Sequence, residues 1–372
     1  MSRLRLGMVG GGQGAFIGGV HRYAARLDGR WDLVAGALSS DPERASASAA
    51  DLGLDPSRGY SDFADMARAE AARDDGIDAV AIVSPNHMHA APAIAFLDAG
   101  IHVICDKPLA GTEADARAIA AAVERSGRHF VLTHNYTGYP LIRQARAMVR
   151  AGDLGSIRVI QVEYAQDWLT EQQDGKQAAW RTDVTRSGRG GALTDIGTHA
   201  FNLANFVTGL APSHVAADLS AFVPGRPVDD NAHVMLRYPG GARGILWASQ
   251  VAVGNENALR LRVYGVKAGL EWSQEDPNRL TYVRHAQVRQ ILTRGGPGLD
   301  PAVTDATRIP AGHPEGYLEG FATLYREAAD LILSGDALGE YDLPGIADGL
   351  QGVRFVSASL ASAEANTAWV NL

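Results

Sequence analysis

The sequence predicts an α/β protein in two domains. Residues 1–134 read as a doubly wound parallel sheet, and residues 135–372 as an α/β domain built on a large open, mainly antiparallel sheet. A glycine-rich loop between a short apolar strand and a helix opens the chain. Apolar runs of strand length then alternate with helical patterns up to residue 134. Beyond it the pattern changes to longer strands in which apolar and polar residues alternate. The totals agree with two globular domains: 372 residues, 46% hydrophobic and 20% charged. A net charge of −8 without a basic stripe argues against nucleic acid or an anionic membrane as a partner. Cys105 is the single cysteine, so neither an internal disulfide nor a multi-cysteine metal site is available, and no metal is expected. No apolar run reaches membrane-spanning length and no signal peptide opens the chain, so a soluble, cytoplasmic protein is expected.

Residues 4–9 form the first strand, which empties into Gly10-Gly11-Gly12-Gln13-Gly14-Ala15-Phe16-Ile17-Gly18-Gly19 and then a helix over 20–27. Glycines allow the tight turn and let backbone N–H groups approach a pyrophosphate at the positive end of that helix. Strand, loop and helix in this order point to a dinucleotide, with Gly10, Gly12 and Gly14 as the contact glycines. The next strand, 32–38, ends at Ser39, with Asp41 and Arg44 close behind. An acidic residue at that end would hold the ribose hydroxyl of NAD, whereas a small residue with a nearby arginine suits the phosphate of NADP. Ser39 and Arg44 lean one way and Asp41 the other, so NAD and NADP both stay open.

A third strand, 77–83, ends in Ser84-Pro85-Asn86-His87-Met88-His89; a fourth, 102–105, in Asp106-Lys107-Pro108; a fifth, 129–133, in His134-Asn135-Tyr136. Strand ends on this edge line the ligand crevice of a parallel sheet. Ser84, Asn86, His89 and Asp106 are therefore candidates for the cofactor, and Asn135 and Tyr136 for a substrate. Lys107, held by the following proline, points a cation to where nicotinamide and substrate would meet.

In the second half a helix over 141–151 precedes strands at 157–168, 215–223, 232–238, 242–250 and 259–265. Trp168 ends the first of these and is a candidate substrate contact. A long polar loop, 169–189, contains Trp180-Arg181, and loops of that length often cover active sites. Helices toward residue 333 and over 343–362 and a strand at 368–371 close the chain. Within Gly190-Gly191-Ala192-Leu193-Thr194-Asp195-Ile196-Gly197-Thr198-His199, a helix from Asp195 onward would stack its carboxylate and the His199 imidazole on one face. That is the arrangement of an oriented general base.

The glycine loop, Ser-Pro-Asn-x-x-His at 84–89, Asp-Lys-Pro at 106–108 and Gly-Gly-x-x-x-Asp-x-Gly-x-His at 190–199 together resemble the Gfo/Idh/MocA oxidoreductase family, through essentially the whole chain. The resemblance implies a Rossmann domain, a C-terminal α/β domain, and NAD(P)-linked oxidation or reduction of polyols and pyranoses. It also implies a catalytic trio, here Lys107, Asp195 and His199. Two departures stand out. The common Glu-Lys-Pro is Asp-Lys-Pro here, and the glycine loop is about three residues longer than the usual form, which places Phe16 and Ile17 near the cofactor. Within the family the chain is similar to a branch with Trp-Arg in the central loop and His-Pro-Glu-Gly before the late helix. Inositol and monosaccharide dehydrogenases, scyllo-inositol dehydrogenase-like enzymes included, are the analogy, with Arg181 and His313 as candidates for hydroxyl recognition. Hydride would leave a ring carbon for the nicotinamide while His199 takes the hydroxyl proton and Lys107 stabilises the alkoxide. Two other readings keep the fold: NAD-assisted glycoside cleavage without net redox, and a non-catalytic sugar sensor. A sheet with one uncovered face would favour a homodimer or homotetramer.

Overall fold

A computed structural model of the chain describes residues 3–173 and 189–372. It forms two compact units: residues up to Asn135 together with Leu318–Val353, and Tyr136–Tyr317 together with Arg354–Leu372. Residues 318–353, which the sequence assigns to the second domain, thus pack with the first. The Trp31 indole donates to the carbonyl of Tyr325 at 2.8 Å, and Leu132 N–H donates to the carbonyl of Pro344 at 2.9 Å. Helical periodicity says that a face is buried; it does not say which sheet buries it.

In the first unit, β1 (Leu4–Gly10), β2 (Trp31–Ala37), β3 (Gly59–Tyr60), β4 (Ala79–Val83), β5 (His102–Cys105) and β6 (Phe130–Leu132) form a parallel sheet in the order β3-β2-β1-β4-β5-β6. Helices α1 (Phe16–Leu27), α2 (Pro42–Asp51), α3 (Phe63–Ala71), α4 (Ala90–Asp98) and α5 (Glu113–Ser126) alternate with the strands. Strand β4 is buried along its whole length, as a central strand covered on both faces must be. The order reverses between β1 and β4, so their carboxyl ends open a crevice for a ligand.

The second unit begins with α6 (Pro140–Arg150) and β7 (Ile157–Ala165). A π-helical turn, Leu193–Gly197, runs into α7 (Thr198–Thr208). Strands β8 (His214–Ser220), β9 (Asn231–Arg237), β10 (Arg243–Ser249), β11 (Ala258–Gly265), β12 (Ala268–Ser273), β13 (Arg279–Arg284) and β14 (Gln290–Thr293) follow. Next in the chain come α8 (Pro301–Ala306), then α9 (Tyr317–Ser334) and α10 (Ile346–Glu364), of which residues 318–353 belong to the first unit, and last β15 (Val370–Asn371). Among the described residues the sheet order is β14-β13-β12-β11-β7-β10-β9-β8-β15. Only β7 and β10 pair in parallel there; the remaining neighbours are antiparallel. Strands β12 to β14 were not expected; β12 and β13 bury alternate residues, whereas β14 is short, largely exposed and without an alternating pattern. One face packs on α6 and α7 through Ile160, Val162, Leu203 and Val234. The other keeps Met235, Ile245 and Tyr264 exposed. Among the described residues no helix is long and apolar enough to cross a membrane.

Candidate functional site

In the first unit the glycine loop is shaped by contact as well as by dihedral freedom. Gly10, Gly11 and Gly14 have φ of 78°, 72° and 75°, where only glycine rests without strain. A Cβ on Gly18 would lie 2.4 Å from the Gly11 Cα, and one on Gly12 would lie 2.6 Å from the Leu38 carbonyl oxygen. Around Gly14 nothing lies within 4 Å. So Gly11 and Gly18, which the sequence reading did not single out, let α1 rest directly on the loop. Helices α2, α3 and α5 carry side-chain caps from Asp41, Asp62 and Thr112, whereas α1 has no side-chain cap and no acid in its first turn. Its free N–H groups fit a pyrophosphate. Phe16 is 68% exposed at the loop's edge, and Ile17 is half-buried.

Past β2, Ser39 Oγ accepts from Asp41 N–H at 3.1 Å and Asp41 accepts from Arg44 N–H at 2.8 Å. The acid therefore caps α2, and the Arg44 side chain is exposed. Past β4, Ser84 Oγ donates to the Met88 carbonyl at 3.1 Å, and Asn86 is buried. His89 was a cofactor candidate, yet its ring is fully buried, with Nδ1 2.8 Å from the Pro108 carbonyl and Nε2 2.8 Å from the Ser84 carbonyl. Burial lowers its pKa, against the pull of Asp106. It braces the loop that carries Lys107 rather than offering a nitrogen to a ligand.

Asp106 likewise faces inward: Oδ1 accepts from Thr133 Oγ1 at 3.0 Å and lies 3.7 Å from His21 Nε2. The other His21 nitrogen is 2.8 Å from the Tyr325 hydroxyl. Burial raises the Asp106 pKa, but His21 and Lys107 outweigh it and hold the group well below the usual carboxylate range. Lys107 follows, half-buried, with a cis peptide to Pro108. Burial and the Lys107 charge push His134 down to about 3, so its ring is neutral. Asn135 is buried behind it.

In the second unit His199 is 8% exposed. Its ring stands edge-on to Tyr136 at 4.9 Å and tilted to Tyr164 at 6.2 Å between centroids. The Tyr136 and Tyr164 hydroxyls are 2.6 Å apart, and Tyr164 donates to Asn257 Oδ1 at 2.8 Å. Asn257 Oδ1 also accepts from Gln166 Nε2 at 2.7 Å, and Gln166 Oε1 accepts from the Trp168 indole at 3.0 Å. Burial raises both phenol pKa values, so the wall beside His199 is neutral and rich in hydroxyl and amide groups. Tyr164, Gln166 and Asn257 were missed, although period-two spacing back from Trp168 points to the first two. Asp195 lies in the π-helical turn and not in the α-helix expected of it; its Oδ2 accepts from Gln250 Nε2 at 2.9 Å.

Arg181 lies outside the described residues. His313 is exposed, on a loop held by the buried pair Arg294 and Glu315, 2.9 Å apart. The Glu315 carboxylate also accepts from the N–H groups of Arg308 and Ile309, at 2.7 and 2.9 Å. Among the described residues no cluster of histidine, cysteine or acidic side chains could hold a metal ion.

Comparison with known proteins identifies the family and the fold. Residues 4–145 match a model described as an oxidoreductase family with an NAD-binding Rossmann fold, and residues 142–271 match a GFO/IDH/MocA C-terminal domain. An oxidoreductase from Sinorhizobium meliloti is 55% identical over the full length of both chains, with a TM-score of 0.92. An inositol dehydrogenase homologue from Azotobacter vinelandii, solved with NADH and myo-inositol, is 37% identical with a TM-score of 0.93, over 100% of this chain and 98% of that one. Levoglucosan dehydrogenase of Pseudarthrobacter phenanthrenivorans is 30% identical over 75% of this chain and 76% of its own length.

Proposed function

The chain belongs to the Gfo/Idh/MocA family of NAD-binding oxidoreductases, and we propose that it oxidises a secondary ring hydroxyl of an inositol or pyranose sugar to the ketone or lactone, reversibly. One observation carries the reading: His199, buried against Tyr136 and Tyr164, sits one turn after Asp195 beside a wall of neutral hydroxyl and amide groups. Buried groups of that kind favour a ligand that returns their hydrogen bonds, such as a polyol, and penalise one that leaves them unpaired. Relatives named for myo-inositol and levoglucosan bind cyclic polyols of this class.

NAD, when bound, supplies the hydride acceptor. The loop from Gly10 to Gly14 and the uncapped start of α1 would hold its pyrophosphate, with Ser84 and Asn86 at the neighbouring strand end. His199 takes the hydroxyl proton, and Asp195 fixes the imidazole tautomer and stabilises the charged ring. Lys107 stabilises the oxyanion that develops on the substrate. Asn135, Tyr136 and Trp168 orient the hydroxyls, joined by Arg181 and His313 by analogy with the inositol dehydrogenases.

The test is purified protein with NAD or NADP and a panel of myo-inositol, scyllo-inositol, levoglucosan, the glucose enantiomers and simple glucosides, followed by reduced-nicotinamide absorbance and by product analysis. Reduced cofactor appearing with a panel member is the expected result. Cleaved glucoside with no net reduced cofactor would replace the dehydrogenase by redox-assisted glycoside cleavage. Binding of sugar and NAD with neither reaction would leave a sensor.

A further inference from the structure

The turn that carries Asp195 is held by a dipeptide to which the mechanism above gives no role, Asp229–Asp230 at the entry to β9. Three consecutive backbone N–H groups end on Asp229. Gly191 donates to Oδ1 at 2.7 Å and Leu193 to Oδ2 at 2.8 Å, while Ala192 donates to the Asp229 backbone carbonyl at 2.9 Å. These are donors that the start of a helix leaves without partners, and an ionised carboxylate is a strong acceptor for them. The approach is close enough to dictate sequence: a Cβ on Gly191 would lie 1.9 Å from the Asp229 carbonyl oxygen.

The same dipeptide reaches Asp195 from its carboxylate side. Gln250 N–H donates to the Asp230 carbonyl at 2.8 Å, and the Gln250 side chain donates from Nε2 to Asp195 Oδ2 at 2.9 Å. Asp230 is itself fixed, accepting from the N–H groups of Phe222 and Val223 at 2.9 and 3.0 Å and from the Arg226 guanidinium at 3.1 Å. Asp229 and Asp230 are 8% and 1% exposed. Two adjacent buried carboxylates are costly to desolvate, and a strand entry does not by itself require them.

We propose that Asp229 and Gln250 are positioning residues for proton transfer: the Asp229 carboxylate sets the phase of the π-helical turn and the Gln250 amide holds the Asp195 carboxylate, and together they fix Asp195 relative to His199. The inference rests on the reading of Asp195 and His199 as the proton-transfer pair.

The test compares Asp229→Asn, Gln250→Met and Asp195→Asn, singly and in combination, in the full chain. It uses NAD and whichever panel sugar is turned over, and measures kcat, KM and the Kd for NAD. Asparagine at 229 turns one acceptor oxygen into an amide facing an N–H group; methionine at 250 removes the donor to Asp195 without touching the turn. Asp229→Asn and Gln250→Met are each expected to lose about 10- to 100-fold in kcat, with KM and Kd within about 3-fold. In the Asp195→Asn background neither should add much, because residues that act as a unit are not additive. Losses that multiply with that of Asp195→Asn would overturn the proposal. So would wild-type kcat in folded Asp229→Asn and Gln250→Met when Asp195→Asn is impaired. Failure of the underlying reading looks different, since Asp195→Asn and His199→Ala would then keep wild-type turnover. If Asp229→Asn is not recovered folded, Gln250→Met decides on the same two outcomes.

Discussion

At His199 the surrounding phenols are kept protonated by burial, so in the proposed mechanism the imidazole, and not a phenolate, is the group that takes the hydroxyl proton. His199→Ala is accordingly expected to lose about 10²- to 10⁴-fold in kcat while calorimetry shows unchanged NAD affinity. Other histidines govern stability instead. Burial lowers the pKa of His89 and His129, and takes His102 to about 4 and His134 to about 3, from an ordinary value of 6.5. His102 and His134 stay neutral in the fold where the unfolded chain already takes up protons. The unfolded state therefore binds more protons below pH 6.5, and the stability these rings contribute is complete above that pH and lost as pH falls toward 4. The melting temperature should drop over that window, and His102→Asn should flatten the drop, as scanning calorimetry across pH would reveal. An unchanged slope would remove His102 from the account. Asp106 acts lower down: its depressed pKa adds stability above the usual carboxylate range that is lost only in strong acid.

Among the elements, the join of β1 to α1 separates two roles for glycine. Gly18 meets the Gly11 backbone, where nothing can give way, whereas Gly14 has open space around it and only a positive φ to satisfy. Gly18→Ala is expected to weaken NAD binding at least about 10-fold and to cost about 1–3 kcal/mol of stability. Gly14→Ala should cost about 1 kcal/mol through its positive φ alone, with no protein backbone displaced. Fluorescence titration with NAD and thermal melts of both variants check the pair, and equal behaviour of the two would contradict the steric argument. The same scale explains uneven legibility in the sequence. Strands β1 and β5 stand out as short apolar runs between turn residues. Strand β14 does not, since an exposed edge strand with mixed faces takes its shape from its neighbour. The π-helical turn was hidden too, because the acceptor of its leading N–H groups is Asp229, 38 residues from Gly191.

For the whole molecule, the sheet of the second unit leaves Met235 46% and Ile245 49% exposed on adjacent strands. An apolar stripe of this kind on an uncovered sheet face favours self-association. A homodimer or homotetramer is expected by light scattering at micromolar concentration, and Ile245→Glu is expected to shift it to a smaller species with its melting curve otherwise cooperative. A wild-type monomer would count against that face as an interface.

What the sequence determined by itself was whatever depends on local order. A strand, a glycine loop and a helix follow one another with little freedom, and period-two alternation marks strands with one buried face. The motifs at residues 84–89, 106–108 and 190–199 lie at strand ends and a helix start that local pattern can locate. The tertiary structure alone decided which partners those motifs meet. Residues 318–353 join the first unit, His89 and Asp106 turn inward to brace the loop of Lys107, and Gln250 and Asp229 hold the turn of Asp195. Such contacts span tens to hundreds of residues and depend on how buried donors and acceptors find one another, which no local pattern of apolar and polar residues encodes.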